Sequence, residues 1–249
     1  MRPKVSVIIP VYNASLTIER AITSALNQNL QPFEILIYDD CSTDNSYEKI
    51  SALMDEFDSI KYYKGEKNVG AGSSRDFLLK LAKGDFIAFL DSDDFWHKSK
   101  LEKQINALIF HKADICVCGY EIYDESNVPL GFRLPLKNLN FFKLHFSNWI
   151  PTSMAVLSVN LKGVRDMPKI RRRQDYAYWL NIFRLNYKVN YISINEKLGG
   201  YTRMNKSLSS SPVKNIKYNY LMFRIEMKYS IIKTSIIVLL NILIRIFRT

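Results

Sequence analysis

The sequence predicts an α/β protein with a mostly parallel, doubly wound sheet and helices on both faces. Two observations support this fold class. Short apolar runs alternate with segments whose apolar residues recur at helical spacing through roughly the first hundred residues. Polar clusters also follow three of the apolar runs, where each strand would end. Such β-α-β alternation forms parallel sheets, because each helix crosses back over the sheet before the next strand.

The first two strands are short apolar runs. Residues 5–10 end at a proline, as is typical of a buried parallel strand, and residues 34–38 form the second run. We expect Asn13 to cap a helix that reaches about Asn29 and Asp44 to cap the next helix.

The third and fourth strands follow in the same rhythm. Residues 60–63 form the third strand, and a glycine-containing loop leads into a helix that ends near Lys83. The apolar run 86–90 is the fourth strand.

Beyond residue 95 the pattern is looser. We expect helices at 98–111 and 174–186, strands at 115–120 and 188–194, and an irregular stretch at 124–150. The predicted organisation is a first subdomain at 1–100, a second subdomain at 101–215 that shares its core, and a basic, apolar helical tail at 216–249.

The composition and the cysteine spacing argue against long linkers and against a zinc site. Eight prolines and nine glycines in 249 residues leave little room for linkers or low-complexity tracts. The three cysteines, Cys41, Cys116 and Cys118, lack zinc spacing, which favours reduced structural thiols in a cytosolic protein. We expect no signal peptide, because the first strand already begins at Val5.

The C-terminal segment is basic and apolar. From Arg203 onward, nine basic residues face one acidic residue, Glu226, within a net charge of +11. This balance suggests an anionic partner, and the uncharged run 234–244, with 11 residues, is short of the ~20 that a spanning helix needs. A helix in the interface of an anionic membrane fits better than a nucleic-acid partner. Packing on the domain or in a homodimer stays an alternative.

The acidic cluster after the fourth strand is the clearest chemical signal. Asp91, Asp93 and Asp94 lie close together at a strand end, where ligands gather in open α/β sheets. Carboxylates of this kind suit Mg²⁺ or Mn²⁺, which also binds diphosphates. A solvated acidic turn is the alternative.

Taken together, the strings at the strand ends resemble family 2 glycosyltransferases, which have the GT-A nucleotide-sugar-binding fold. The resemblance covers about residues 4–210, and the order and spacing of its strings make it specific. The matching strings are residues 5–13, 39–46, 68–75, 84–94, 174–180, 201–203 and 207–209.

The resemblance implies that the subdomain at 1–100 binds the nucleotide sugar and that the subdomain at 101–215 binds the acceptor. It also implies a metal site. The expected nucleotide-sugar contacts are Pro10, Val11, Tyr12, Asn13, Asp39, Asp40, Arg75, Asp91, Ser92 and Asp93. The carboxylates of Asp39 and Asp40 would accept a hydrogen bond from the N–H of a uracil-like base, although turn chemistry is the alternative for Asp39. Asp93 is the first expected ligand of Mn²⁺ or Mg²⁺, with Asp91 and Asp94 behind it.

The resemblance also implies a general base and an acceptor site. Asp175 would take the proton of the acceptor hydroxyl, with helix N-terminal stabilisation as the alternative role. Gln174 stands where Glu is commoner in the family. The expected acceptor contacts are Trp149, Thr152 and Asp175, and core packing is the alternative for Trp149.

Two basic features complete the implied site. Arg171, Arg172 and Arg173 form a cationic run that could meet phosphate or be solvated. Arg203 would offset charge on the leaving diphosphate, and Lys206, Ser207 and Ser209 would belong to a lid.

The expected function is inverting, metal-dependent transfer of a sugar from a nucleotide-diphosphate sugar, with a UDP-sugar favoured. The acceptor would be a glycan of the bacterial cell surface, carried on a lipid at the inner face of the plasma membrane. A nucleotidyltransferase is disfavoured, because Pro10-Val-Tyr-Asn13 replaces a glycine-rich phosphate loop. A non-catalytic membrane-binding module is the third class.

Overall fold

A nine-stranded sheet forms the core of the computed structural model, which describes residues 2–203 and 212–247. The strands are β1 Val5–Val11, β2 Glu34–Asp39, β3 Ile60–Lys64, β4 Phe86–Phe89, β5 Phe95–Trp96, β6 Ile115–Tyr123, β7 Pro129–Arg133, β8 Ala155–Ser158 and β9 Tyr191–Thr202. The helices are α1 Ile18–Leu26, α2 Ser46–Met54, α3 Ala71–Leu81, α4 Lys100–Phe110, α5 Phe141–Leu144, α6 Gln174–Leu185, α7 Pro212–Ile225 and α8 Ile231–Phe247, with a 3₁₀ turn at Thr152–Met154.

The predicted α/β class is confirmed, and the sheet is mixed in its second half. The strand order is β3-β2-β1-β4-β8-β6-β9-β5, with β7 on the edge of β6. Strands β1 to β4 pair in parallel, as the β-α-β pattern predicts. Strand β8 then runs antiparallel to both β4 and β6, while β6 and β9 are parallel. The carboxyl ends of β1, β2 and β4 therefore lie at the same edge of the sheet.

Helices cover both faces of the sheet. Apolar residues of α3 and α6 pack on one face, and those of α1 and α4 pack on the other. All seven residues of β1 are buried, which explains its continuous apolar run.

Several elements differ from the sequence prediction. Helix α1 begins at Ile18, so Asn13 does not cap it; instead, the Asn13 side-chain oxygen accepts the N–H of Thr43 at 2.8 Å. The stretch expected to be irregular contains β7 and α5. Strand β8 was not predicted, because four buried residues show no measurable periodicity.

The C-terminal helices pack on the domain. Phe223 of α7 and Val238 of α8 join the core cluster, and Asn241 of α8 donates to the carbonyl oxygen of His145 at 2.6 Å. One face of α8 therefore packs on the domain, as the alternative interpretation of the tail proposes. In the described ranges, no helix combines the length and apolar character that crossing a bilayer requires.

Candidate active site

A cleft of about 870 Å³ opens at the carboxyl ends of β1, β2 and β4. Strands, helices and loops from both halves of the chain line it. Eleven of the residues predicted for the site line this cleft: Pro10, Val11, Tyr12, Asn13, Asp40, Arg75, Asp91, Ser92, Asp93, Thr152 and Asp175. The sequence therefore located most of the cleft wall.

Asp40 fixes the loop on the β2 side of the cleft. Its side chain is buried, and its two carboxylate oxygens accept the backbone N–H groups of Val69 and Gly70 at 2.7 Å each. Gly70 has a φ of +88°, a conformation that suits glycine. Any contact from Asp40 to a ligand would use the remaining lone pairs of a carboxylate that already holds the start of α3.

Asp39 and Asp44 hold turns. The carboxylate of Asp39 accepts the N–H of Ser42 and the hydroxyl of Tyr62, each at 2.8 Å, and Asp39 does not line the cleft. The structure thus favours the turn alternative for Asp39. Burial alone would raise the pKa of Asp44, but hydrogen bonds from Ser46 and Ser15 outweigh it and lower that pKa.

Arg75 and Asp91 form an ion pair at the floor of the cleft. Arg75 lies on α3, and its side chain is almost completely buried. Burial would lower its pKa, yet the charge of Asp91, with smaller effects from Asp175 and Asp93, raises it. Within the described ranges, the buried Nε of Arg75 has no hydrogen-bond partner. Arg75 itself lines the cleft, where its guanidinium charge suits an anionic ligand.

Asp93 and Asp94 are crowded carboxylates. Burial, followed by the charge of Asp91, raises the pKa of Asp93 to about 6. Burial and the charges of Asp93 and Asp91 also raise the pKa of Asp94. Asp94 is buried behind the cleft, where it accepts the N–H of Thr202 at 3.0 Å, so it holds β9 and does not line the cleft.

Arg20 of α1 contacts the loop that carries Asp93, and this role was not predicted from the sequence. Its guanidinium donates to the carbonyl oxygen of Asp93 at 2.7 Å and to the Thr202 hydroxyl at 2.8 Å. Arg20 also lies over the ring of Phe95, with its guanidinium carbon 4.8 Å from the ring centroid. An arginine on the polar face of an amphipathic helix gives no local signal of such contacts.

The donor set fits a metal ion that is shared with a substrate. In the part of the chain that the structure describes, no group of three or more His, Cys, Asp or Glu residues could hold a metal ion alone. Asp91 and Asp93 nevertheless line the cleft together, and burial, followed by the charge of Asp91, raises the pKa of Asp93. A cation would offset the negative charge of the pair. Mg²⁺ commonly binds through one or two carboxylates together with substrate phosphates.

Asp175 lies in the first turn of α6 and faces the same cleft. The side-chain amide of Asn148 donates to Asp175 Oδ2 at 2.7 Å. This bond fixes the orientation of the carboxylate and leaves Oδ1 for other contacts. The sequence identified Asp175 but not Asn148, which lies in the stretch that was expected to be irregular.

Helices α3 and α6 meet closely beneath the cleft. A β-carbon on Gly72 would lie 2.9 Å from Gln174 Cγ and 3.3 Å from the carbonyl oxygen of Pro168. Only glycine allows this approach without a shift. The contact brings Arg75 of α3 and Asp175 of α6 to one cleft.

Helix α7 and an arginine run complete the wall. Arg171, Arg172 and Arg173 line the cleft just before Asp175, and α7 contributes Asn215 and Tyr218. The guanidinium carbon of Arg172 lies 4.8 Å from the centroid of the Tyr218 ring. The contribution of α7 was not expected, because its sequence is read most simply as part of a tail.

Besides Asp39 and Asp94, two more predicted residues do not line the cleft. Trp149 packs against the core cluster, and its indole N–H donates to the Lys143 carbonyl oxygen at 3.0 Å. The side chain of Arg203 is exposed, and its backbone N–H bonds to Tyr123. The expected lid residues Lys206, Ser207 and Ser209 lie outside the described residues.

Comparisons of the sequence identify relatives along most of the chain. The model of the family "Glycosyl transferase family 2" matches residues 6–169. A putative teichuronic acid biosynthesis glycosyltransferase, TuaG of Bacillus subtilis, is 35% identical over 90% of this chain and 88% of its own length. The Escherichia coli enzyme WfgD, a UDP-Glc:α-D-GlcNAc-diphosphoundecaprenol β-1,3-glucosyltransferase, is 34% identical over 86% of this chain and 82% of its own length.

Solved structures share the fold at lower identity. TarS of S. aureus (residues 1–349) in complex with UDP-GlcNAc aligns with a TM-score of 0.73 and 19% identity, covering 96% of this chain and 71% of that one. The mannosyltransferase PcManGT of Pyrobaculum calidifontis, in complex with GDP-Man and Mn²⁺, aligns with a TM-score of 0.69 and 15% identity, covering 92% and 66%. These likenesses show a GT-A fold. Because the family model spans most of the sheet and relatives above 30% identity extend along most of the chain, this protein is a glycosyltransferase that belongs to glycosyl transferase family 2.

Proposed function

We propose that this protein transfers a sugar, with inversion, from a UDP-sugar to a hydroxyl of a lipid-linked glycan. The observation that carries the proposal is the meeting of two acidic groups in one cleft. Asp91 and Asp93 come from the end of β4, and Asp175 comes from the start of α6. The first pair is suited to a diphosphate with its cation, and Asp175 is suited to proton removal.

The nucleotide would bind along Pro10 to Asn13 and against Asp40. These residues line the cleft at the ends of β1 and β2, and the Tyr12 side chain is half exposed there. The Arg75 guanidinium, which lines the cleft, would donate to the base or the diphosphate. The relatives that carry a UDP-sugar in their name or bound in their structure support a UDP-sugar donor.

Mn²⁺ or Mg²⁺ would be held by Asp93 and Asp91 together with diphosphate oxygens. Such an ion offsets negative charge on the leaving diphosphate. Arg75 would supply a second, fixed positive charge from the cleft floor. Arg203 adjoins residues outside the described ranges, and its expected action on the leaving group remains part of the proposal.

Asp175 would act as the general base. It would take the proton of the acceptor hydroxyl as the new bond from oxygen to the anomeric carbon forms. The bond between that carbon and the phosphate oxygen breaks, and the nucleotide diphosphate leaves with the bonding electron pair. Asn148 would keep the carboxylate aimed at the acceptor. The proposed acceptor contact at Thr152 lies in the same cleft.

The acceptor would carry a diphosphate that contacts the arginines before Asp175. Arg171, Arg172 and Arg173 line the cleft beside the proposed base. WfgD, by its name, acts on a diphosphoundecaprenol-linked sugar, which supports this class of acceptor. The enzyme would then work at the inner face of the bacterial plasma membrane, where the basic C-terminal segment meets anionic lipid.

A donor screen with a matched variant tests the proposal. Release of nucleotide diphosphate is measured from a panel of UDP- and GDP-sugars, with Mn²⁺ or Mg²⁺ and a diphosphate-linked lipid acceptor. Asp175→Asn should bind the donor as the wild type does and lose transfer by about a hundredfold to ten-thousandfold. Asp58→Asn, at an exposed turn outside the cleft, is the control and should be fully active. An Asp175→Asn enzyme with wild-type turnover would refute the base assignment.

A further inference from the structure

Helix α8 is apolar on two opposite sides. Its inner side, which includes Ile237 and Val238, packs on the domain. Its outer face, defined here as Ile232, Ile236, Leu239 and Leu243, consists of aliphatic side chains that are 74%, 54%, 57% and 41% exposed. Their spacing of four, three and four residues aligns them in one stripe along the helix. A helix that is apolar all round is expected to be covered on both sides.

The charges beside the outer face indicate which kind of partner covers it. Lys228 and Lys233 are exposed next to the start of α8, and the helix contains no acidic residue. From Arg203 onward Glu226 is the only acid in the sequence. A second copy of the chain would bring these like charges together, whereas an anionic lipid surface would attract them.

We propose that the outer face of α8 docks on an anionic bilayer, with the helix lying in the plane of the membrane interface. Aliphatic side chains would enter the boundary between headgroups and acyl chains, and the lysines would remain among the headgroups. Helix α8 has 17 residues and one face held by the domain, so docking requires neither a span nor unpacking of the core.

The same helix pair would set the orientation of the cleft. Helix α7 packs on α8, and Asn219 of α7 donates to Asn241 of α8 at 3.2 Å. Helix α7 also contributes Asn215 and Tyr218 to the cleft wall. Docking through α8 therefore places the α7 wall near the membrane surface, where a lipid-linked acceptor presents its sugar. This orientation step rests on the proposed function; the docking step does not.

Vesicle binding tests the docking step without any activity. The full chain is sedimented with phosphatidylcholine vesicles that contain or lack phosphatidylglycerol. The wild type should bind the anionic vesicles, and its affinity for them should fall as salt is added. The variant Ile232→Ser/Ile236→Ser/Leu239→Ser should lose roughly a hundredfold in vesicle affinity. Because these side chains are exposed, we expect the variant to keep the wild-type circular dichroism.

A control variant removes at least as much exposed apolar surface elsewhere. The variant Leu16→Ser/Ile109→Ser/Phe110→Ser alters three exposed aliphatic or aromatic residues outside α7 and α8 and should bind vesicles as the wild type does. Equal binding of the wild type and the α8 variant would overturn the proposal. A second result would also overturn it: the wild type does not bind vesicles, and light scattering shows a wild-type dimer that the α8 substitutions abolish.

Transfer to two forms of one acceptor tests the orientation step. The α8 variant should lose transfer to a long-chain acceptor embedded in anionic vesicles and keep transfer to a short-chain, water-soluble analogue. An equal loss on both acceptors would overturn the orientation step. A wild type that binds vesicles but uses neither acceptor would refute the proposed function and leave docking supported.

Discussion

Aspartates have different roles on the two sides of the cleft. On the side formed by β1 and β2, the carboxylates of Asp39, Asp40 and Asp44 accept hydrogen bonds from the protein's own loops. On the side formed by β4 and α6, Asp93 is half-buried beside Asp91 with a raised pKa, and Asp175 has only one oxygen fixed by Asn148. Aspartates on the first side hold the backbone, whereas Asp93 and Asp175 on the second side retain unused capacity for a ligand.

Replacing Asp93 should give the largest effect and separate the two sides. Asp93→Asn should lower transfer roughly a thousandfold, because it removes a charge that would hold the cation and the diphosphate. Thermal unfolding should show no loss of stability, since the change relieves crowding with Asp91. Kinetics at several Mn²⁺ concentrations provide the measurement, and we expect a higher half-saturating concentration. Wild-type kinetics in this variant would mean that Asp93 belongs with the loop-holding aspartates.

Asp40→Ala should behave in the opposite manner. Two backbone N–H groups, at Val69 and Gly70, would lose their charged acceptor, which should cost about 2–3 kcal/mol of unfolding free energy. Donor affinity should also fall, because Asp40 lines the cleft. Chemical denaturation and donor titration are the measurements.

Asp44→Ala is the control for that experiment. Asp44 accepts the N–H groups of Ser15 and Ser46 and does not line the cleft. The Asp44→Ala variant should be less stable than the wild type. Its donor affinity, measured well below the unfolding temperature, should be unchanged. Equal donor affinity in the Asp40 and Asp44 variants would contradict a ligand contact at Asp40.

Gly72→Ala should have the smallest effect and test how the two sides are joined. The added methyl group would press on Gln174 and on the Pro168 carbonyl oxygen, which should cost about 1–3 kcal/mol of stability. Transfer should fall more than donor binding, because α6 carries Asp175, while most of the proposed donor contacts lie at the ends of β1, β2 and β4. Unfolding curves and transfer kinetics measure both effects. The double variant Gly72→Ala/Gln174→Ala lacks the Gln174 Cγ and should recover part of the lost stability. An unchanged loss of stability would mean that the strain lies at another contact.

The sequence predicted the parallel half of the sheet and most of the cleft wall. Short apolar runs and the polar residues that follow them are local signals, and the family strings added the expected roles of Asp93 and Asp175. Neighbouring Asp39 and Asp40 could not be distinguished, because the turn after β2 decides which side chain faces the cleft. In that turn Cys41 has a φ of +67°, which no composition rule anticipates for a cysteine.

The second half was harder to predict because its elements depend on distant partners. Strand β8 is four residues long and lies between β4 and β6. Helix α7 lines the cleft with Asn215 and Tyr218, and the spacing of these residues gives no signal of that position. Arg20 contacts Asp93 and Thr202 across 73 and 182 residues of sequence.

The contact at Gly72 also limits how the enzyme can move. The Gly72 backbone packs directly against the Gln174 side chain at the first turns of α3 and α6. We expect this contact, which lies close in sequence to both Arg75 and Asp175, to persist during turnover. Any closure that excludes water from the bound sugar must come from segments outside this contact.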